Sequence, residues 1–327
     1  MKKKIFYFLL ILIFISNTIF SLFYNLNAKQ LINSIKNKNY SSSEYKIFTQ
    51  IRIPRTVATY FIGAGLSIVG CVLQSIFLNP LCEGYTLGIS SSAGLGVILG
   101  TILNLPFTKF FNSLLGITIS LVVIYLLILI SKKTIDISFV LTGIVVNFLF
   151  SSITILLTLF FDPYKINYVL LWLLGSFSYL DSNYFYFLCF MIIFGIVIIL
   201  VYSSNMDIVV LGKEKSNSLG VDEQKTKNVL IIISVAITAI CVSLTGVISF
   251  VGIIIPNAVK IFTGIKHKSW FIWSAVSGGI FISLCDNLAR NLFYPVEIPI
   301  SVLTGIVGSL FFILYLIKGN FYGNTKN

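Results

Sequence analysis

Charged residues are scarce in this 327-residue chain. Asp, Glu, Lys and Arg make up 10% of it, with 23 basic against 11 acidic residues, and His267 is the single histidine. An average soluble domain carries about a quarter charged residues, so this composition excludes an ordinary soluble protein. The chain has one histidine and no paired acids within its apolar runs. It therefore lacks the side chains for an acid–base pair or a metal cluster inside the membrane, which argues against an intramembrane enzyme.

Cysteine pairs and phosphate-binding loops are missing as well. The five cysteines are scattered with no C-x-x-C spacing and are interpreted as small hydrophobic residues: Cys71, Cys82, Cys189, Cys241 and Cys285. The chain has no GxxxxGK[ST] stretch, and GLGVILG at 94–100 lies inside an apolar run with no preceding strand. We therefore expect no cofactor, metal or nucleotide site. If ATP drives this protein, another chain must bind it.

Long hydrophobic runs are abundant. Hydrophobic residues make up 57% of the chain, gathered into runs of about 20, the length that crosses a hydrocarbon layer about 30 Å thick. The uncharged runs predict eight spans: 5–24, 57–77, 85–105, 110–130, 137–161, 184–202, 272–284 and 301–317. The further run 228–259 is too long for one upright helix, so it forms either one tilted span or two short ones. The sequence predicts an all-α polytopic membrane protein with one domain over 1–327.

The first run resembles the start of a secretory signal because three lysines, Lys2 to Lys4, precede it. It is longer than the usual apolar region of a signal peptide, and no small-x-small cleavage site follows it. We therefore interpret 5–24 as a retained first span.

The distribution of lysine and arginine predicts the orientation of the spans, because short cytoplasmic loops are enriched in both. Two spans within 228–259 give about ten in all, and place the lysines of the C-terminal half on the same side as Lys2 to Lys4. Both termini and the loops 131–136 and 203–228 are then cytoplasmic, with the spans in a cell membrane. The segment 25–55 lies outside although it carries six basic residues, which contradicts the rule locally.

A short polar interruption separates the second and third spans. It contains Asn79 and Pro80, followed by Glu83, the only charged residue between Arg55 and Lys109. Proline ends a helix because it has no backbone N–H to donate. The stretch predicts a tight cytoplasmic turn, which we interpret as part of a gate.

The stretch RIPRTVATYFIGAGLSIVGCVLQSIFLNPLCEGYTLGISSSAGLG is followed in order by LTGIVVNFLFSS, WLLGSFSYLD, LGKEKSNSLGV, GVISFVGIIIP, CDNLAR and EIPISVLTGIVGSLFFI. Together these stretches resemble the FecCD-type permeases, the membrane subunits of ABC importers for iron siderophores, haem and cobalamin. The resemblance implies the ABC type II importer permease architecture with ten spans. It also implies a second permease subunit, identical or paralogous, two ATP-binding subunits, an extracytoplasmic substrate-binding protein and surrounding lipid, with no nucleic acid and no ATPase site of its own.

The resemblance also implies roles for particular residues. In the inner loop 203–228, Gly212, Ser216, Leu219 and Gly220 would couple the permease to the ATP-binding subunits, with Gly220 at a bend between two short helices. On the outer side, Arg52, Arg55 and Arg290 would receive acidic residues of the binding protein. Spacing leaves a second interpretation open, because Asp286 and Arg290 lie four apart and can form a structural ion pair on one helix face. His267, between two lysines, is interpreted as a cytoplasmic loop residue.

The substrate is less well specified. Most members of the resembled family read P-H-x-x-R after the FVG glycine, whereas this chain has Pro256, Asn257 and Lys260. The Asn form resembles that of some siderophore permeases of this family and so favours a ferric siderophore, with haem and cobalamin as alternatives. Any role carried over from the family's histidine and arginine is left open. A secondary transporter driven by protons or sodium is the alternative function. It would need acids midway along the spans, and only Asp286 approaches that position.

Overall fold

The computed structural model describes residues 2–24, 26–37, 40–103, 108–131, 137–160, 170, 173–178 and 182–317, and these residues form helices and turns without a strand. The helices are α1 Lys2–Phe23, α2 Ala28–Lys36, α3 Ser43–Lys46, α4 Ile53–Ile76, α5 Ile89–Ile102, α6 Thr108–Ser131, α7 Ile137–Thr158, α8 Ser182–Val201, α9 Ser203–Val209, α10 Lys213–Ser218, α11 Glu223–Thr245, α12 Val251–Thr263, α13 His267–Asn291 and α14 Ile300–Ile317. A π-helical turn, Ile47–Arg52, leads into α4.

The predicted all-α membrane fold is confirmed. Five helices of the described residues are long and apolar enough by themselves to cross a bilayer, or six if α8 and α9, bent by 47°, form one span. Shorter apolar stretches in α5, α6, α12 and α14 complete a set of ten helices that corresponds to the ten predicted spans. The run 228–259 forms two helices, because Gly246 takes a positive φ of 75° at the end of α11. Residues 132–136, in one predicted loop, lie outside the described residues.

The two helices α4 and α13 pack closely and run in opposite directions. Gly63 and Gly278 allow this approach, because a Cβ at Gly63 would lie only 2.2 Å from the carbonyl oxygen of Gly278. Gly70 makes the same kind of approach to Gly252 at the start of α12, where a Cβ would lie 2.1 Å from the carbonyl oxygen. In an apolar environment close backbone packing by small residues drives helix association. The small residues of the second span therefore place α4 at the centre of the bundle.

Polar side chains attach α1 to this central pair. The Asn17 amide donates to Ser283 Oγ on α13 at 2.7 Å and to Tyr60 OH on α4 at 3.2 Å. Nearer the end of α1, Ser21 Oγ and Thr56 Oγ1 lie 2.8 Å apart. Buried hydrogen bonds of this kind fix which face of a span meets its neighbours.

The third span begins later than the sequence predicts. Helix α5 starts at Ile89 and not at residue 85, because Gly88 adopts a φ of 73° and residues 83–88 form hydrogen-bonded turns. All five cysteines are buried and free. They pack as small apolar side chains, as their spacing predicts.

Candidate functional site

An ion-pair cluster lies where α4 begins and α13 ends, which we call the arginine end. The Arg55 guanidinium on α4 donates from Nε to both carboxylate oxygens of Asp286 at 3.1 Å, and from Nη2 to Oδ1 at 2.8 Å. Its Nη1 and Nη2 also donate to Glu297, which precedes α14, at 3.1 and 3.0 Å. The side chain of Arg55 is 9% exposed and that of Asp286 is 2% exposed. Arg55 thus holds three segments of the chain together.

The other two predicted arginines lie beside this pair. Arg290 Nε approaches Asp286 Oδ2 at 3.3 Å, close enough for an ion pair but not aligned for a hydrogen bond, and its Nη2 donates to Ser21 Oγ at 3.3 Å and to Asn287. Among the described residues, Arg52 donates only to backbone oxygens, those of Ser21 at 3.4 Å and Tyr24 at 3.2 Å, and has no acidic partner within ion-pair distance. The structure therefore brings Arg52, Arg55 and Arg290 to one end of the bundle, where Arg55 is committed to internal acids.

The sequence predicted the pair of Asp286 with Arg290 but missed the stronger pair with Arg55. A spacing of four residues identifies partners on one helix only, whereas Arg55 and Asp286 are 231 residues apart. Glu297 was missed for the same reason. Burial alone would raise the pKa of Glu297, but the hydrogen bonds and positive charge of Arg55 outweigh this effect and lower the pKa below its ordinary value. Glu297 therefore stays ionised at the arginine end.

The interruption between α4 and α5 is tied to α12. Asn79 Oδ1 accepts from the Leu81 amide at 2.9 Å, which forms the predicted tight turn. Glu83 is buried, and its Oε1 accepts from the backbone N–H of Phe250 at 3.1 Å, where α12 begins. The first N–H groups of a helix have no partner within it, and the carboxyl group of Glu83 supplies one. The single acid of this stretch thus caps a helix, and a gating role for Asn79, Pro80 and Glu83 stays a prediction.

Two residues that depart from the family pattern also belong to this junction. Asn257 Nδ2 donates to Pro80 O at 3.0 Å and to Ile253 O at 2.7 Å, so it attaches α12 to the turn. The Lys260 ammonium lies over the Trp270 ring, 4.7 Å from its centroid. Asn257 therefore fixes the backbone of the turn, and Lys260 contacts α13.

The predicted coupling residues form a compact double turn at the opposite end, which we call the loop end. Gly212, with a φ of 96°, separates α9 from α10, and Gly220, with a φ of 75°, follows α10 before α11 begins. Ser216 is buried and its Oγ donates to Gly212 O at 2.9 Å, while the side chain of Leu219 is exposed. Gly220 lies at a bend, as predicted, but this bend joins α10 to the long helix α11. The two short helices are divided at Gly212 instead, and a coupling role for these residues stays a prediction.

The prediction that His267 is a loop residue is wrong. His267 is the first residue of α13 and is 7% exposed. Its ring contacts Asp207 of α9 and Ser75 of α4. The flanking lysines made the site resemble a solvated loop, and no local sequence signal marks either partner.

A cavity of about 240 Å³ lies between α5, α7 and residues 173–174. Six of its lining residues are Tyr85, Ser91, Ser151, Thr154, Leu174 and Val247. None of the described lining side chains carries a formal charge, and hydroxyl groups supply the polar contacts. Among the described residues, no group of three His, Cys, Asp or Glu side chains could hold a metal ion.

The chain matches the FecCD transport family over residues 8–318. FhuG of Bacillus subtilis, an iron(3+)-hydroxamate import system permease protein, is 30% identical over 84% of this chain and 84% of its own. MolB of Haemophilus influenzae, a molybdate import system permease protein, is 30% identical over 84% of this chain and 82% of its own. A solved structure assigned to the metal-chelate type of ABC transporter, in an inward-facing conformation, superposes with a TM-score of 0.82 at 26% identity, covering 95% of this chain and 98% of the other.

Proposed function

The chain belongs to the FecCD transport family of ABC importer permeases, and from this premise we propose that it is the membrane subunit of an ATP-driven, binding-protein-dependent importer of a ferric siderophore. Hydrolysis would occur on two separate ATP-binding subunits, since the family's permeases carry no ATPase site. A second permease subunit and an extracytoplasmic binding protein complete the proposed assembly. Both termini and the loop end would face the cytoplasm.

The uncharged cavity is the observation that carries the choice of substrate class. A chelate encloses its metal ion in organic ligands, so it presents apolar and hydrogen-bonding surface to the protein. Tyr85, Ser91, Ser151 and Thr154 can contact such a surface. A small dianion such as molybdate would gain nothing there to offset its loss of hydration, because no described lining side chain is positive. The cavity therefore favours a chelate over a bare oxyanion.

The site does not favour the alternative function, an ion-coupled secondary transporter. Coupling to protons or sodium needs an embedded carboxylate that can bind and release the ion. Asp286 was the only candidate from the sequence, and in the structure it accepts three hydrogen bonds from Arg55 and lies beside Arg290. A carboxylate held in this way is already occupied by arginine and offers no free site to a coupling ion.

Docking of the binding protein is proposed at the arginine end, with the three arginines in unequal roles. Arg52, bonded to backbone oxygens, is free to pair with an acidic side chain of a partner. Arg290, about one-tenth exposed, can contribute at the edge of its pocket, and Arg55 would act by holding Glu297 and α13 in position. Contacts of this kind at a wet rim are each worth about 0–1 kcal/mol but raise the rate of association.

Growth of a strain lacking this gene tests the proposal. Cultures receive one iron source at a time, as a ferric hydroxamate, a ferric catecholate, ferric citrate or haem, and parallel cultures depend on cobalamin or on molybdate. We expect loss of growth on one siderophore class and restoration by the gene on a plasmid. Loss confined to molybdate or to cobalamin would contradict the proposed substrate, and unchanged growth on every source would contradict import of all these classes.

A further inference from the structure

A buried histidine joins three helices at the loop end. His267 Nδ1 lies 2.6 Å from Asp207 Oδ1, and the same oxygen accepts from the His267 backbone N–H at 3.0 Å. On the other side of the ring, Nε2 lies 3.1 Å from Ser75 Oγ. Asp207 belongs to α9, Ser75 to α4, and His267 begins α13. One imidazole therefore bridges the loop-end helix α9 to both helices of the central pair.

The surroundings fix the ring in one orientation. The rings of Trp270 and Phe271 lie 5.9 and 5.4 Å from the imidazole, centroid to centroid. Ser75 and His267 are buried, whereas the Asp207 side chain is 42% exposed. A short bond to a carboxylate sets the tautomer, because Nδ1 must donate to it. Ser75 and the imidazole are thus held in place by their surroundings, whereas the Asp207 side chain is accessible at the surface.

The hydrogen bonds of this bridge can be satisfied in either charge state of the imidazole. In the neutral form Nδ1–H donates to Asp207 and Nε2 accepts from the Ser75 hydroxyl. In the protonated form Nε2–H donates to Ser75 Oγ, and the hydroxyl donates to Cys71 O, 2.7 Å away. Rotation of one hydroxyl therefore preserves the connection. The bridge serves as a mechanical link whose integrity does not depend on one protonation state.

The helices that it joins reach both ends of the molecule. At the loop end α4 and α13 are connected by Ser75 and His267, and at the arginine end by Arg55 and Asp286 at 2.8 Å. Between these points their backbones meet at Gly63, so the pair cannot slide or bend freely. A displacement of α9 transmitted through Asp207 would therefore move the arginine end as part of one rigid body.

We propose that His267 is a positioning residue for transport, which links α9 to the α4–α13 pair and so couples events at the loop end to those at the arginine end. This inference rests on the proposed function. It assigns to the Asp207–His267–Ser75 bridge the transmission of the signal from the docked binding protein to the ATP-binding subunits. Breaking either half of the bridge interrupts the same path.

The test uses substitutions of His267 that each replace only one of the two ring nitrogens, so that each variant keeps one hydrogen bond of the bridge and loses the other. His267→Asn keeps an amide near the position of Nδ1 and loses the bond to Ser75, whereas His267→Gln reaches towards Ser75 and loses the short bond to Asp207. Ser75→Ala and Asp207→Ala break the same halves from the partners' side. Lys268→Ala, at the exposed neighbouring position, is the control. Each variant is purified as the full chain with its ATP-binding subunits, in proteoliposomes.

The measurement is the stimulation of ATP hydrolysis by the binding protein, compared with the basal rate. Each bridge variant should lose about fivefold or more of the stimulation, as expected for the loss of one buried hydrogen bond, and keep its basal rate. Lys268→Ala should match the wild type. The double variant Ser75→Ala with His267→Asn should lose no more than either single variant, because both interrupt one link. Backbone amides of 203–218 should exchange hydrogen faster in Asp207→Ala.

The outcomes separate the inference from the proposed function. A wild-type chain that forms no complex with an ATP-binding subunit would overturn the proposed function. A wild-type complex with normal stimulation, in which Asp207→Ala and Ser75→Ala also respond within twofold of normal, would overturn this inference alone. Equal loss of basal and stimulated rates in all variants would also overturn it, because that result indicates general destabilisation. If the His267 variants fail to fold, the stimulation of ATP hydrolysis in Asp207→Ala, on the exposed side of the bridge, decides between these outcomes.

Discussion

Replacing Arg55 by alanine should destabilise the protein more than any other single arginine change. The substitution leaves the Asp286 carboxylate, 2% exposed, without the three hydrogen bonds that it accepts from Arg55. Removing one partner of a buried ion pair costs about 3–5 kcal/mol, because the remaining charge stays buried without compensation. Arg290 lies 3.3 Å from the same carboxylate and can compensate in part, so we expect a loss of about 3 kcal/mol.

Arg52→Ala is the matched control for this prediction. Arg52 lies one helical turn earlier and donates to two backbone oxygens, which can bind water instead. Its loss should cost about 1 kcal/mol or less. The free energy of unfolding is measured in mixed detergent micelles by titration with a denaturing detergent and followed by tryptophan fluorescence, for both variants and the wild type.

A double-mutant cycle identifies the partner. Asp286→Ala alone should destabilise as strongly as Arg55→Ala. The double variant should lose clearly less than the sum of the two single losses, because neither member of the Arg55–Asp286 pair is then left without the other. Equal stability of Arg55→Ala and Arg52→Ala would contradict a buried Arg55–Asp286 pair, as would strictly additive losses. Arg55 would then be an exposed docking residue like its neighbour.

Three further predictions concern packing, acidity and orientation. Gly63→Ala should separate α4 from α13 and lower the yield of folded protein. Gly305→Ala should be tolerated, because no atom of the described residues lies within 4 Å of the new Cβ. Size-exclusion chromatography of the two variants in detergent checks this, and equal yields would contradict the close packing. The pKa of Glu297 is lowered in the folded protein, so its contribution to stability is present above its ordinary pKa of 4.5 and is lost as the pH falls through the lower folded value. Melting curves between pH 7 and pH 3 should therefore show a smaller acid-induced loss of stability for Glu297→Gln than for the wild type. Identical losses would contradict the prediction. In intact cells a membrane-impermeant maleimide should label Lys36→Cys and not Lys215→Cys, with little background from the buried native cysteines; labelling of Lys215→Cys alone would reverse the orientation.

The helices were predictable from the sequence for a simple physical reason. A chain that crosses hydrocarbon must satisfy its backbone hydrogen bonds internally, so every uncharged run of about 20 residues had to become a helix. Glycines within those runs allow neighbouring helices to approach closely, as Gly63 and Gly70 do in the structure. A bend at Gly220 was predictable because glycine adopts a positive φ at little steric cost, and Gly220 takes such a φ in the structure.

The partners of the polar residues were not predictable in the same way. Arg55 and Asp286 meet only because α4 and α13 pack in opposite directions, and no spacing rule reaches across 231 residues. His267, flanked by two lysines, resembled a solvated loop residue, yet Asp207 and Ser75 enclose it. Glu83 resembled a lone charge in a turn and caps α12 instead. Each of these contacts depends on tertiary packing, which local periodicity does not contain.

Accumulation of a radioactive ferric hydroxamate in proteoliposomes tests whether ATP and a binding protein drive import through this chain. The vesicles contain the wild-type chain with its ATP-binding subunits, and they receive the binding protein outside and ATP on the side of the ATP-binding subunits. A parallel set carries ionophores that abolish proton and sodium gradients. We expect accumulation that requires both ATP and the binding protein and is equal with and without the ionophores. Accumulation without ATP in ionophore-free vesicles, driven by an imposed proton or sodium gradient, would contradict ATP-driven import.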